Sequence, residues 1–261
     1  MIQKLLNRLG YVHKGTIPNL YDDHYVLPKK SITYSNDLLY TQHSADFLND
    51  PLFIESYDLG KNTDGGMLLK NYDIQWRIHV LCWAARHAMH LEGDFVDCGV
   101  HTGIFARAVI NYVDFQSSNK KYYLLDTFNG LDSKYSSAEE FKRNVAMGYD
   151  QENPDQLLRQ VTETFKEFNT SIIKGSVPET LPAVDTDKVC YLSVDMNCVE
   201  PEVQALEFFW SKMVSGGVII LDDYGYANVT QNQKEAHDAF AKSKNVEILT
   251  LPTCQGLLIK P

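Results

Sequence analysis

Three carboxylates in the second half of the chain follow directly on short apolar runs. Asp195 comes after residues 189–194, and Asp222 and Asp223 come after residues 217–221. If these runs are neighbouring parallel strands, their carboxyl ends meet at one edge of a sheet, where ligands bind in such folds. Carboxylates held close together repel one another unless a cation lies between them. Because hard divalent ions take oxygen ligands, we expect these three acids to hold Mg²⁺; solvent-exposed turn acids are the alternative.

A second group of residues has the composition of a nucleoside site. An apolar run at residues 95–98 leads into Gly99 and Gly103, with the spacing D-x-G-x-x-x-G counted from Asp97. Glycine at these positions permits a tight turn and a close approach of the next helix to a ligand. The spacing differs from the G-x-G-x-x-G of dinucleotide sites and suits the adenosyl part of S-adenosylmethionine. His101, inside this loop, could be a base or a cofactor contact, or could simply pack.

Asp126 ends the next apolar run, about 20 residues beyond the glycine loop. An acid at this position can accept hydrogen bonds from two ribose hydroxyls. Because two independent features agree, a nucleoside cofactor is favoured. The alternative is that Asp126 only caps the turn at residues 126–130.

Strands alternating with helices from about residue 74 predict an α/β fold whose parallel sheet is covered on both faces. Strands are predicted at residues 95–100, 121–126, 170–174, 189–194 and 217–221. Helices are predicted at residues 76–91, 102–112, 138–147, 157–168, 201–214 and 231–243. Two final strands, 246–251 and 256–260, flank a turn and should form an antiparallel hairpin. The expected sheet is seven-stranded and mostly parallel.

Residues 1–70 are rich in Tyr, Asn, Asp and Pro and show weak periodicity. This composition predicts a loop-rich extension, and a substrate-covering lid or a dimerisation arm is the sharper alternative. We therefore divide the chain into an extension, residues 1–70, and a domain, residues 71–261. A tyrosine-rich arm makes a homodimer plausible.

The composition of the 261 residues excludes several classes of protein. Lys plus Arg number 24 and Asp plus Glu number 34, and the formal net charge of −10 disfavours a nucleic-acid partner. Five scattered cysteines without a C-x-x-C pair predict buried thiols in a reducing compartment. We find no signal-peptide core and no apolar run long enough to span a membrane, and a cytoplasmic protein is the simplest expectation.

Motifs of several other enzyme classes are absent from the sequence. There is no G-x-S-x-G, no H-E-x-x-H and no P-loop lysine motif, so hydrolase and NTPase functions lack support. The remaining histidines in the helical patterns are expected to be structural. They are His79, His87, His90 and His237.

Four segments together resemble class I S-adenosylmethionine-dependent methyltransferases, in particular the metal-dependent macrocin O-methyltransferase type. They are FVDCGVHTG at 95–103, LDTFNGL at 125–131, KGSVPETLP at 174–182, and the pair LSVDMN at 192–197 with GGVIILDDYG at 216–225. Their order and combination are specific, and they span roughly residues 90–260. The first 70 residues carry no such match.

The resemblance implies a Rossmann-like methyltransferase fold and an O-methyltransferase that uses S-adenosylmethionine and Mg²⁺ on a sugar of a natural product or surface glycan. It implies a role for Asp126 at the ribose and for Gly175 and Ser176 near the adenine. The cofactor set it implies is Asp97, Gly99, His101, Thr102, Gly103, Asp126, Thr127, Phe128, Gly175, Ser176 and Asp195. The metal ligands would be Asp195, Asp222 and Asp223.

One position departs from the family pattern. A second acid, a candidate general base, commonly follows the first by two residues, whereas this chain has Asn197. An amide cannot take a proton from a sugar hydroxyl. The candidates for the catalytic set are therefore Asp195, Asn197 and His101, with a lid residue or metal-bound hydroxide as further possibilities for the base. The alternative function is a nucleoside-binding or scaffolding protein whose catalysis is altered or lost.

Overall fold

A seven-stranded sheet forms the centre of the computed structural model, which describes residues 29–149, 153–226 and 229–261. The strands are β1 (Tyr34–Asn36), β2 (Leu39–Thr41), β3 (Asp94–Cys98), β4 (Tyr122–Asp126), β5 (Thr170–Lys174), β6 (Val189–Val194), β7 (Met213–Leu221), β8 (Leu249–Thr250) and β9 (Gly256–Ile259). The helices are α1 (Pro51–Thr63), α2 (Gln75–Ala88), α3 (Ile104–Tyr112), α4 (Ala138–Met147), α5 (Pro154–Phe165), α6 (Val199–Trp210) and α7 (Gln231–Ser243).

The seven-stranded sheet consists of β3 to β9, in the order β5–β4–β3–β6–β7–β9–β8, and β1 and β2 pair separately. In this order the strands from β5 to β7 pair in parallel, β9 pairs antiparallel with β7, and β8 pairs antiparallel with β9. This confirms the expected α/β architecture, including the C-terminal hairpin. The order reverses between β3 and β6, and ligands bind in such folds at a reversal of this kind.

Helices cover both faces of the sheet because neighbouring strand residues point to opposite sides. Phe95 packs with helices α1, α2, α3 and α5 on one face, whereas Val96 packs with α6 and α7 on the other. Both side chains are fully buried. Burial on both faces explains why β3, β4 and β6 read as continuous apolar runs.

Several predicted boundaries were wrong. The helix predicted at 201–214 ends at Trp210, and β7 begins at Met213 rather than at residue 217. Strand β7 extends past Gly216 and Gly217, which interrupt its apolar pattern and concealed its start. The helix predicted at 76–91 ends at Ala88, so His90 lies in the turn that follows.

The expectation of a loop-rich segment was wrong for residues 51–63, which form helix α1. Asp50 caps this helix by accepting a hydrogen bond from the Leu52 amide, and Pro51 occupies its first turn. The buried Phe53 and Tyr57 join the same core as β3. Residues 1–28 of the extension lie outside the described residues, and the division at residue 70 stays a prediction.

A short hairpin precedes α1. Strands β1 and β2 are joined by Asp37 and Leu38, which both have positive φ values, 52° and 59°. Two such residues between paired strands are typical of a tight hairpin turn that follows the natural strand twist. The turn places the Asp37 side chain against Arg77 of α2. No helix in the described ranges is both long and apolar enough to cross a membrane.

Candidate active site

The three predicted acids meet at the carboxyl ends of β6 and β7. One carboxylate oxygen from each of Asp195, Asp222 and Asp223 lies within 4.8 Å of the others. The parallel pairing of Val194 with Leu221 brings the two strand ends level, and the acids follow immediately. The topology therefore produces the cluster that the sequence predicted.

Arg77, from the first turn of α2, contacts this cluster. Its Nη1 donates to Asp222 Oδ2 at 2.5 Å and to Asp223 Oδ1 at 3.2 Å. On the other side, Nε donates to Asp37 Oδ2 at 2.6 Å and Nη2 to Asp37 Oδ1 at 3.3 Å. Nη2 also donates to the Tyr226 hydroxyl. The arginine side chain is 7% exposed, so it is a buried cation surrounded by acids.

Asp222 and Asp195 have further polar partners. Gln255 Nε2 donates to Asp222 Oδ1 at 2.9 Å, so both oxygens of Asp222 accept hydrogen bonds from protein groups. Asn197 Nδ2 lies 3.3 Å from Asp195 Oδ1 and donates to it. Asn197 itself has a φ of 57° and its carbonyl accepts from Arg143 at 3.0 Å. The Asn197 side-chain amide thus orients Asp195 and does not serve as a carboxylate base.

The cluster carries more negative charge than Arg77 neutralises. Burial, and then repulsion by Asp222 and Asp223, holds the pKa of Asp195 well above its usual range. Burial and the Asp222 charge raise the pKa of Asp223 to about 7, although Arg77 opposes this. Such raised values are typical of buried acids that share one site.

Asp126 organises the opposite edge of the site. Its Oδ2 accepts hydrogen bonds from the amides of Val100 and His101, both at 2.7 Å, and its Oδ1 accepts from the Phe128 amide at 2.6 Å. One carboxylate therefore fixes the glycine loop and the turn after β4 together. The turn interpretation and the ligand interpretation are compatible, because the side chain also borders the cavity.

A cavity runs along the carboxyl ends of the strands and joins the two groups of residues. Predicted residues that line it are Gly99, His101, Asp126, Thr127, Phe128, Gly175, Ser176, Asp195, Asn197, Asp222 and Asp223. Ser176 donates to Asp132 Oδ2 at 2.5 Å, and Thr127 donates to the Gly130 carbonyl at 2.6 Å.

Three predicted cofactor residues do not line this cavity. Asp97 is buried within the sheet, where its Oδ1 accepts a 2.8 Å hydrogen bond from the Tyr122 hydroxyl. Thr102 is buried with its hydroxyl 3.4 Å from that of Thr63. Gly103 precedes α3 with a φ of 93° and packs near the Phe165 ring. Their positions indicate that these three residues support the glycine loop from the side away from the cavity.

His101 faces the cavity beside Tyr149. The two rings are nearly perpendicular, in an edge-to-face contact with centroids 5.4 Å apart. Burial lowers the pKa of His101, against the opposing charges of Asp126 and Asp64, so the ring is neutral near pH 7. Burial, with a contribution from Asp195, raises the pKa of Tyr149, which therefore keeps its hydroxyl proton.

Three of the four histidines that were expected to be structural, His79, His87 and His237, have packing or hydrogen-bond partners away from the acid cluster. His79 stacks on Phe47 with centroids 4.1 Å apart. His87 Nε2 lies 2.9 Å from the Gly216 carbonyl oxygen. His237 Nε2 lies 3.0 Å from Glu202 Oε2 inside the α6–α7 layer.

Sequence reasoning missed Arg77, Asp37 and Gln255. A signal for Arg77 was present, because residues 77, 81, 84 and 88 fall on one buried stripe of α2. An arginine on such a stripe needs buried acidic partners. The other two residues carry no comparable pattern, since their partners are distant in the sequence.

The sequence also suggests two aromatic segments, residues 20–72 and 129–155, as candidate lids over an acceptor, and both contribute to the cavity wall. Leu68, Leu69 and Tyr72 come from residues 20–72, and Tyr135, Asn144, Met147 and Tyr149 are among those from residues 129–155. Residues 20–28 and 150–152 of these segments lie outside the described ranges.

Comparison with known proteins identifies similar chains. The family model for macrocin-O-methyltransferase matches residues 77–250. A curated relative is the 8-demethyl-8-(2,3-dimethoxy-alpha-L-rhamnosyl)-tetracenomycin-C 4'-O-methyltransferase of Streptomyces olivaceus. It is 25% identical over 142 residues, which cover 51% of this chain and 54% of the relative. The chain thus spans about half the length of this relative.

Two solved structures have a similar fold. The O-methyltransferase NovP aligns with a TM-score of 0.58 at 19% identity, over 70% of this chain and 79% of NovP. The calicheamicin methyltransferase CalS11 aligns with a TM-score of 0.56 at 14% identity, over 92% of this chain and 99% of CalS11. At these identities the likeness establishes the fold alone.

Proposed function

The chain belongs to the macrocin-O-methyltransferase family, and on this premise we propose that it transfers a methyl group from S-adenosylmethionine to a sugar hydroxyl, assisted by Mg²⁺. One observation carries the proposal: a single cavity is bordered by the Asp126 edge and by the acid cluster. A nucleoside cofactor at the first and an acceptor at the second would lie side by side.

The cofactor half of the proposal rests on the glycine loop and Asp126. Methyl transfer is an in-line displacement whose main demand is positioning. Asp126 holds the Val100 and His101 amides at 2.7 Å, which makes this edge rigid before any ligand arrives. The Gly175 and Ser176 backbone borders the same cavity and suits an adenine contact.

The acid cluster fits a divalent cation in its donor chemistry. It offers three carboxylates with oxygens within 4.8 Å of one another, and burial, followed by repulsion among these acids, raises the pKa of Asp195 and of Asp223. Asp195, Asp222 and Asp223 would hold Mg²⁺, which would orient two neighbouring acceptor oxygens and lower the hydroxyl pKa. Arg77 and Gln255 meanwhile hold Asp222 in place.

Two side chains of the cavity can accept the hydroxyl proton. His101 is neutral near pH 7 because burial lowers its pKa, so its ring can take up a proton. Asp195 is the second, because its carboxylate borders the same cavity and can accept a proton when ionised. Asn197 contributes a hydrogen bond to Asp195 and no proton transfer.

The name of the curated relative supports a sugar acceptor. That protein is a 4'-O-methyltransferase of a rhamnosyl group on a natural product. We extend this class of acceptor, a sugar of a natural product, to the present chain. The location in the cytoplasm and a possible homodimer remain part of the same proposal.

Calorimetry and a mass-shift screen test the proposal. S-adenosylhomocysteine should bind, and a panel of nucleotide sugars and glycosylated natural products should gain a methyl mass with the labelled cofactor and Mg²⁺. Absence of S-adenosylhomocysteine binding would refute the assignment. If S-adenosylhomocysteine binding does not depend on Mg²⁺ and a chelator does not affect turnover, the metal assignment is refuted while the methyltransferase assignment stands.

Asn197 supports a second candidate function, a nucleoside-binding or scaffolding protein with altered catalysis. The side chain stands where the family commonly has an acid, and it donates to Asp195. This candidate predicts S-adenosylhomocysteine binding without methyl transfer to any acceptor in the panel. Turnover with one sugar would exclude it.

A further inference from the structure

Arg77 stands between the N-terminal hairpin and the acid cluster, contacting Asp37 on one side and Asp222 and Asp223 on the other. We propose that Arg77 is an internal cation that competes with the divalent ion for these acids, and that Asp37 weakens this competition. The inference rests on the metal site of the proposed function. It adds the residues that set the affinity of that site.

The guanidinium is fully engaged. Its Nη1 is shared between Asp222 at 2.5 Å and Asp223 at 3.2 Å, and its Nε and Nη2 form a two-pronged contact with Asp37 at 2.6 and 3.3 Å. The side chain is 7% exposed, and Asp37 and Asp222 are 11% and 4% exposed. Water therefore screens these charges weakly, so each of them affects a neighbouring ion strongly.

The charges do not balance around this arginine. When all four are ionised, Asp37, Asp222, Asp223 and Asp195 supply four negative charges, and Arg77 supplies one positive charge. A divalent ion is therefore still attracted to the cluster. It must share Asp222 and Asp223 with a positive charge already in hydrogen-bond contact with both, and two cations on the same acids repel each other.

Asp37 offsets that repulsion from the far side. Its carboxylate draws the guanidinium away from the cluster and neutralises its charge. Removing the Asp37 charge should leave Arg77 more positive and held only by the acids, and the divalent ion should bind less tightly. Removing the Arg77 charge should have the opposite effect.

The hairpin is thereby part of the metal site. Asp37 sits in the two-residue turn between β1 and β2, and the hairpin packs on the start of α2 through Tyr34 and Trp76, whose rings are 5.3 Å apart. The position of the hairpin therefore determines whether Asp37 reaches Arg77. This gives part of the extension a role that the sequence did not indicate.

Calorimetric titration of the metal-free protein with Mn²⁺ tests the inference without measuring turnover. Asp37→Asn should weaken Mn²⁺ binding by about tenfold or more, and Arg77→Met should tighten it by a similar factor. Asp46→Asn, an exposed acid of the same N-terminal region, is the matched control and should bind Mn²⁺ as the wild type does. Circular dichroism and S-adenosylhomocysteine binding report whether each variant keeps its fold.

The outcomes separate this inference from the proposed function. If Arg77→Met does not fold, Asp37→Asn decides the question, because Mn²⁺ affinity that is unchanged or tighter overturns the inference. If Arg77→Met folds and binds Mn²⁺ more weakly, Arg77 only positions the acids and the inference is likewise overturned. If none of the proteins, including the wild type, binds Mn²⁺, the metal of the proposed function fails too, while S-adenosylhomocysteine binding still tests the cofactor site.

Discussion

Gly99 lies against the backbone of Asp195: a Cβ atom at position 99 would stand 1.7 Å from the Asp195 carbonyl oxygen. Gly99 also has a φ of 94°, which L side chains rarely adopt. The cofactor edge and the acid cluster thus touch through main-chain atoms. Any side chain at position 99 must push the two halves of the site apart.

Gly99→Ala should therefore destabilise the protein by more than the roughly 1–3 kcal/mol that a strained backbone conformation costs alone. Chemical denaturation measures this change. Gly66→Ala is the matched control, because Gly66 has a φ of 81° and no atom lies within 4 Å of the place where its Cβ would stand. Equal losses in the two variants would show that the contact with Asp195 is unimportant.

Asp97→Asn should change how stability depends on pH. Burial raises the pKa of Asp97 to about 8, against the opposing Tyr122 hydrogen bond. Between about pH 4 and pH 8 the folded protein keeps this proton and the unfolded chain loses it, so the unfolding free energy falls as pH rises. The asparagine keeps an oxygen that accepts from Tyr122 and removes this contribution.

As pH rises from 5 to 8, the unfolding free energy of Asp97→Asn should increase relative to that of the wild type. The increase should be at most a few kcal/mol, since one pKa unit corresponds to about 1.4 kcal/mol. Urea unfolding at several pH values measures it. Asp155→Asn, at an exposed site, controls for the loss of one charge. A constant difference between Asp97→Asn and wild type would contradict the buried protonated acid.

Asp126→Asn should weaken cofactor binding. The carboxylate accepts three backbone hydrogen bonds, and an amide has one oxygen fewer to accept them. Hydrogen bonds to charged groups contribute about 1.5–3 kcal/mol each, so a loss of about tenfold or more in S-adenosylhomocysteine affinity is expected. Calorimetry measures it, and an unchanged affinity in a folded variant would remove Asp126 from the cofactor site.

Asn197→Asp should make the protein dependent on divalent ions for stability. The new carboxylate replaces a donor that lies 3.3 Å from Asp195 and adds repulsion to the cluster. With a chelator the melting temperature should fall by several degrees, since about 1 kcal/mol corresponds to roughly 2–4 °C for a domain of this size. Mg²⁺ should recover most of the loss.

The same variant addresses the alternative function. If position 197 limits catalysis, Asn197→Asp should transfer methyl groups faster than the wild type to an acceptor found in the screen. Asn197→Ala is the control for loss of the amide alone. A melting temperature that Mg²⁺ does not restore would count against a cation at the cluster.

Ligand binding should protect residues 129–149 from proteases. Tyr135, Met147 and Tyr149 line the cavity, so a bound cofactor would pack against this segment. Limited proteolysis with and without S-adenosylhomocysteine, followed by mass spectrometry, measures the protection. Equal cleavage in both states would show that this segment is not a lid.

The sequence predicted the elements that carry their own local signals. Helix α4 was predicted at both ends. In the structure Ser137 and Glu140 form a reciprocal capping box, and Gly148 ends the helix with a φ of 83°. Strands β5 and β6 were likewise predicted at both ends. The acid cluster was predictable because strand ends of a parallel sheet converge.

Long-range partners could not be predicted in the same way. Arg77 is 40 residues from Asp37 and 145 from Asp222, and local patterns contain no information on such pairings. Asp97 shows the converse difficulty. It occupies a motif position, but its side chain turns into the sheet toward Tyr122, and alternation along a strand buried on both faces does not reveal which acid faces the ligand.

The contacts of Asp222 also have a consequence for the order of folding. Its partners come from α2, 145 residues earlier, and from Gln255 next to β9, 33 residues later. Contacts between such distant segments form slowly, because long loops must close before they give any stabilisation. The acid pair therefore acquires its guanidinium and amide donors only when α2 and the C-terminal β8–β9 hairpin have both docked. We therefore expect competence for ligand binding to arise late in folding.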